Sequence, residues 1–108
     1  NGIQQNMKNI GTNHPEWMKS FQKFMQKSKS SGVLDHKTKE LIGIALSVKA
    51  QCDRCIVWHV KNAIDAGGTK EEIVEASLVA VVMGGGPALM YMEDVMDAIE
   101  QITKTGED

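Results

Sequence analysis

The apolar and polar positions of this chain repeat with the period of an α-helix. Capping residues and glycines divide the pattern, because Asn, Asp and Thr suit helix starts and glycine suits helix ends. No segment alternates with the period of a strand, so we predict an all-α bundle of about five helices. They are expected over residues 14–28, 36–50, 52–66, 70–83 and from the Gly-Gly-Gly-Pro stretch at 84–87 to about 104. Their predicted capping residues are Asn13, Asp35, and Thr69 with Glu72.

Two stretches differ from an ordinary amphipathic helix. Residues 1–12 are polar and are expected to be a weakly ordered lead-in. Residues 76–92 carry no charge, but three glycines and a proline interrupt them, which favours a buried helical hairpin over a membrane span of about 20 residues. Because a helix that is apolar nearly all round needs cover on several sides, we expect further subunits to supply it.

Composition and charge narrow the classes of partner. A chain of 108 residues fits one domain, and its net charge of −2 offers no attraction for nucleic acid or anionic lipid. The polar N-terminus has no apolar signal segment, and two cysteines cannot build a multi-bridge secreted framework. The sequence therefore predicts a cytoplasmic domain that binds neither nucleic acid nor membrane. The lysines at 19, 23, 27 and 29 are expected to form a solvated basic face.

The candidate chemistry lies in the segment QCDRCIVWH at 51–59, which holds both cysteines of the chain. At about 100° per residue, Cys52, Cys55 and His59 fall within about 60° of arc on the apolar half of a helix. Cys55 and His59 can share a hydrogen bond, so the imidazole can take the thiol proton. Cys52 lies near the helix N-terminus, where the dipole favours a thiolate. Two thiols at this spacing can close a disulfide, which indicates a redox couple.

Two other interpretations of the same segment stay open. Cysteine is often buried, so both thiols could be ordinary core residues. A zinc site is the other alternative, but structural zinc takes four ligands and this segment offers three. His14 and His36 have no spacing that completes the set. We favour redox chemistry, with neither a metal nor a cofactor.

Beyond this segment, residues 33–100 closely resemble the carboxymuconolactone decarboxylase-like superfamily. Within it, they are most similar to the alkylhydroperoxidase D-like (AhpD-like) thiol peroxidases. The signature is Glu40 followed twelve residues later by C-x-x-C-x-x-x-H, here Cys52, Cys55 and His59. The resemblance implies a short, single-unit member that assembles into a homotrimer or homohexamer. Arg54 stands between the cysteines, where longer relatives can carry a histidine.

The resemblance also implies a role for each residue of the signature. Cys55 resembles the peroxidatic thiol, Cys52 the resolving thiol and His59 the base. Glu40 resembles the acid that orients and charges the histidine; from the residues alone it would be a solvated surface glutamate. The implied activity is a thiol-dependent peroxidase or disulfide oxidoreductase that reduces small hydroperoxides. Its reductant would be a protein or dithiol of the lipoyl or thioredoxin type.

Two alternative functions remain at this point. One is a decarboxylase-type lyase acting on a lactone acid, for which the thiols would be incidental. True decarboxylases of the superfamily lack the cysteine pair, so the pair argues against this activity. The other is an oligomeric helical module without enzymatic activity that binds a metal or a partner through the same pocket.

Overall fold

A computed structural model of the protein describes residues 2–106. Over this range the chain is all-α, as predicted, with five helices and no strand. The helices are α1 Gly2–Asn13, α2 Pro15–Lys29, α3 His36–Lys49, α4 Asp53–Asp65 and α5 Lys70–Gly106. The core lies between α3, α4 and α5, where Ile44, Ile56, Val60 and Ile73 are fully buried. α1 and α2 pack on each other beside this core.

The helix starts show which capping predictions hold. Asp35 caps α3 by accepting a hydrogen bond from the Thr38 N–H at 2.8 Å. Thr69 and Glu72 form the reciprocal capping box of α5, with distances of 2.9 and 3.1 Å. The prediction for Asn13 is wrong. Its side chain donates back to the Asn9 carbonyl within α1, and α2 begins without a side-chain cap.

The sequence predicted no helix in the first twelve residues, but α1 occupies most of them. The helix packs along α2, and the half-buried Met7 and Gly11 lie on its inner side. Gly11 approaches the Met18 side chain, the one buried residue of α2. The sequence did not predict α1 because the segment is mostly polar, and only a few small or apolar positions face α2.

The prediction that the Gly-Gly-Gly-Pro stretch divides the end of the chain into two helical segments is confirmed, although they meet at a kink and not at a loop. α5 runs through the Gly-Gly-Gly-Pro stretch, and only Gly85, with φ 66° and ψ −149°, leaves helical geometry. This backbone conformation is open essentially to glycine alone. Pro87 follows in the next turn, where its missing N–H costs nothing. The helix is therefore kinked rather than interrupted by a loop.

In the single chain, the uncharged stretch at 76–92 is only partly covered, so its expected burial by further subunits stays a prediction. Val82 is 83 % exposed and Met83 is 74 % exposed, although both belong to the uncharged stretch. Only the positions that face α3 and α4 are covered, such as Ala80 and Ala88. Since α3 and α4 cover one side of α5, its other apolar side stays open.

Candidate functional site

The two cysteines lie at the turn between α3 and α4. This turn is tight because Gln51 adopts a positive φ of 57°, and the Cys52 N–H reaches back to the Ser47 carbonyl at 3.1 Å. Cys52 lies at the start of the helix, as predicted: it is the N-cap of α4, and its Sγ accepts from the Cys55 N–H at 3.3 Å. Cys52 and Cys55 form a disulfide, with Cα atoms 5.3 Å apart.

Glu40 and His59 face each other across the contact between α3 and α4. Oε1 of Glu40 lies 2.8 Å from Nδ1 of His59, and the Glu40 side chain is only 1 % exposed. An ionised carboxylate can only accept, so Nδ1 carries the proton of this hydrogen bond. The second ring nitrogen, Nε2, is then the one that can take a proton. Glu40, whose role only the family resemblance indicated, is thus a buried hydrogen-bond partner of His59.

Gly43 makes this close approach possible. It lies one turn after Glu40 on the same face of α3. A Cβ atom at position 43 would come within 2.7 Å of Nδ1 and 2.8 Å of Cε1 of His59, closer than such atoms approach. The imidazole therefore lies directly against the α3 backbone.

Three basic side chains surround the Glu40 carboxylate. Besides His59, Lys29 Nζ is 3.1 Å and His36 Nε2 is 3.8 Å from Oε2. Burial by itself raises the pKa of Glu40, but the hydrogen bond from His59 and the ammonium of Lys29 outweigh it. The pKa of Glu40 is consequently below its ordinary value, and the group is a carboxylate at neutral pH.

Lys29 is the residue of this site that the sequence did not reveal. It was expected on a solvated basic face, yet its ammonium also lies 5.6 Å from the centre of the Trp58 ring. With the Asn62 amide oriented to satisfy its neighbours, the amide oxygen accepts from Lys29 Nζ at 3.1 Å and from Trp58 Nε1 at 3.0 Å. These contacts come from different helices, so spacing along the sequence gave no signal for them.

Cys55 and His59 line two clefts that open on either side of them. The larger cleft, of about 740 Å³, lies between α1, α2 and α4 and is almost entirely apolar. The smaller, of about 610 Å³, lies against α3. Cys52 lines neither of the two. Residues that form the wall of the larger cleft include Met7, Ile10, Trp17, Phe21, Phe24 and Trp58.

The structure thus brings Cys52, Cys55 and His59, which the sequence grouped, to one place with Glu40, which the family resemblance added. Arg54 lies apart from them, beside Gly2 and in an acidic depression that also includes Asp94. Within residues 2–106, no three His, Cys, Asp or Glu side chains are arranged to hold a metal ion. The site therefore contains a cysteine pair that can be oxidised and reduced reversibly, an apolar cleft lined by Cys55, and an imidazole oriented by Glu40.

Comparison with known proteins agrees with this arrangement. The chain is 39 % identical to the carboxymuconolactone decarboxylase family protein lpg0406 of Legionella pneumophila, with a TM-score of 0.89 over 94 % of this chain and 90 % of that one. A family protein of Thermotoga maritima, for which a part in the antioxidative response has been suggested, gives 26 % identity and a TM-score of 0.87. That match covers 98 % of this chain and 91 % of the other.

The chain is also similar in sequence to proteins without an assigned activity. An uncharacterised protein of Cupriavidus necator is 37 % identical over 76 % of this chain and 73 % of its own length. The carboxymuconolactone decarboxylase family model matches residues 15–98, which include α2, α3, α4 and the kink of α5. These matches show that the chain belongs to the carboxymuconolactone decarboxylase family.

Proposed function

We propose that the protein is a thiol-dependent peroxidase that reduces organic hydroperoxides and is re-reduced by a dithiol. The observation that supports this most strongly is the Cys52–Cys55 disulfide beside the buried Glu40–His59 pair. A decarboxylase would have no use for a disulfide at this point. The antioxidative role suggested for the Thermotoga maritima relative points in the same direction.

The first half of the proposed cycle takes place at Cys55. Nε2 of His59 accepts the Cys55 proton, and Glu40 stabilises the imidazolium that results. The thiolate attacks the terminal oxygen of the hydroperoxide, the O–O bond breaks, and the alkoxide leaves as an alcohol with the imidazolium proton. Cys55 is then a sulfenic acid.

The second half of the cycle uses Cys52. Its thiolate attacks the Cys55 sulfenic acid, the S–O bond breaks and the disulfide forms, while the departing hydroxide takes up the proton that the Cys52 thiol gave up and leaves as water. As the N-cap of α4, Cys52 lies where backbone N–H groups stabilise a thiolate. An external dithiol of the lipoyl or thioredoxin type then supplies two electrons by disulfide exchange, which returns both thiols.

The clefts support the assignment of the two thiols and of the substrate. Cys55 is the cysteine that the clefts reach, so it is the one a substrate meets first. A cleft of about 740 Å³ walled by aromatic and methionine side chains suits a hydroperoxide with an apolar organic group. We further propose that the enzyme works in the cytoplasm.

The test is a single turnover of the reduced protein with cumene hydroperoxide, followed by intact-mass spectrometry. The unmodified protein should lose two thiols and form one disulfide. Cys52→Ser should react once and stop as a sulfenic acid that dimedone traps, whereas Cys55→Ser should consume no peroxide. Unchanged turnover in Cys55→Ser would reverse the two assignments. If the unmodified protein consumes no peroxide, the proposed activity is wrong.

A further inference from the structure

The side chain of Lys29 is held by a set of contacts that a solvated lysine does not have. Its ammonium lies 3.1 Å from Glu40 Oε2 and 3.1 Å from the Asn62 amide oxygen, above the Trp58 ring. Only 27 % of the side chain is exposed. It also lines both clefts that reach Cys55. Lys29 is therefore part of the site and not of the outer surface of α2.

The backbone around Lys29 is fixed as well. Lys39 Nζ donates to the carbonyls of Ser28 and Ser30, both at 2.7 Å. Nδ1 of His36 donates to the carbonyl of Lys29 itself, also at 2.7 Å. Basic groups at the C-terminal end of a helix satisfy its last carbonyls and its dipole. Two side chains of α3 thus clamp the last turn of α2, which carries Lys29, onto the helix that carries Glu40.

The consequence for Glu40 follows from its two oxygens. Oε1 accepts from His59, and Oε2 faces Lys29, so the carboxylate is held from both ends. The titratable groups that face it are Lys29 from α2, His36 from α3 and His59 from α4. Without Lys29, a buried carboxylate would depend on His59 and on the more distant His36. A buried charge without a partner is costly, so it would take up a proton or turn away.

We propose that Lys29 is a positioning residue: it keeps Glu40 ionised and oriented, so that Glu40 in turn holds His59 with Nε2 free for Cys55. The proposal deepens the proposed function, since it concerns the activation of the same thiol. It predicts that Lys29 controls the reactivity of Cys55 although it takes no part in a bond-making step.

The measurement is the pH profile of alkylation of reduced Cys55 by iodoacetamide in a Cys52→Ser background. Lys29→Met keeps the stem but removes the charge, and it should slow alkylation at pH 7 about tenfold and shift the midpoint of the profile to higher pH. Lys29→Arg should restore most of the rate. Lys27→Met is the matched control, because Lys27 is exposed on the same turn of α2, and it should leave the profile unchanged.

A second background shows whether Lys29 acts through Glu40. With Glu40→Gln present there is no carboxylate to hold, so adding Lys29→Met should change the rate less than about threefold. An equal loss in both backgrounds would mean that Lys29 acts on the thiolate directly, which would overturn the proposal. So would a Lys29→Met profile that matches Lys27→Met.

Two further features keep the test decisive. If Lys29→Met does not fold, Lys29→Gln removes the charge while an amide still faces Glu40, and the same shift is expected from it. Alkylation needs no peroxide, so this result is independent of the proposed activity. A Lys29-dependent profile without peroxide consumption would support the positioning role and refute the peroxidase.

Discussion

At the scale of single residues, the site depends on one buried carboxylate. Glu40 is covered almost completely, yet its pKa is lowered, because burial is outweighed by the hydrogen bond from His59 and by the Lys29 ammonium. A group whose pKa is lower in the folded than in the unfolded chain stabilises the fold above its unfolded value of about 4.5. That contribution is lost as the pH falls through the folded pKa.

The lowered pKa of Glu40 predicts how the stability of the oxidised protein changes at acid pH. Glu40→Gln should lower the free energy of unfolding at pH 7 by about 2 kcal/mol, the size of a hydrogen bond to a charged group. The difference from the unmodified protein should begin to shrink below about pH 4.5, the pKa in the unfolded chain, and should be lost as the pH falls through the lower pKa of the folded protein. Urea unfolding monitored by tryptophan fluorescence at several pH values measures it. Glu93→Gln is an exposed control, and a difference that stays constant with pH would contradict the argument.

Much of this arrangement was predictable, and the limit has a physical cause. Helical period and capping residues predicted α3 and α4 closely, since those signals are local. Spacing within one helix brought Cys55 and His59 together. Glu40 and Lys29 come from other helices, so their positions in the site depend on how the helices pack. The family resemblance pointed to Glu40, whereas nothing in the sequence pointed to Lys29. α1 was missed because its few buried positions matter only once α2 is beside it.

At the scale of the elements, the site depends on how closely α3 and α4 approach. His59 lies against the α3 backbone at Gly43, where any side chain would collide with the ring. The glycine and Glu40 are three residues apart, so one face of α3 supplies both the space for the imidazole and its acceptor. Helix packing and ring orientation are therefore a single feature of this fold.

Gly43→Ala tests that dependence. The added methyl group should displace the imidazole, break the hydrogen bond to Glu40 and lower the free energy of unfolding by about 1–3 kcal/mol. Alkylation of Cys55 should slow, because Glu40 then no longer orients His59. Gly11→Ala is the matched control: its methyl group would lie 3.4 Å from Met18, an ordinary contact, so it should be neutral or stabilising. If Gly43→Ala behaves like Gly11→Ala, the close approach has no role.

At the scale of the whole molecule, the open side of α5 needs an explanation. Val79, Val82 and Met83 precede the kink at Gly85, and Leu89 and Met90 follow it; all five are exposed in the single chain. Soluble monomers rarely expose apolar patches of such extent. Further copies of the chain could cover this surface, because a head-to-tail contact between copies closes a ring such as a trimer, and a self-complementary contact can pair two such rings.

We propose a homotrimer or homohexamer, and light scattering coupled to gel filtration measures its mass. At micromolar concentration the mass should be three or six times the 11.9 kDa of one chain. Val82→Asp should shift it towards the monomer, because a desolvated carboxylate on this surface has no partner. Val33→Asp is the control, since Val33 is a fully exposed residue in the loop before α3 and should not affect assembly. An unmodified protein that elutes with the mass of one chain would show that the open side of α5 has another purpose.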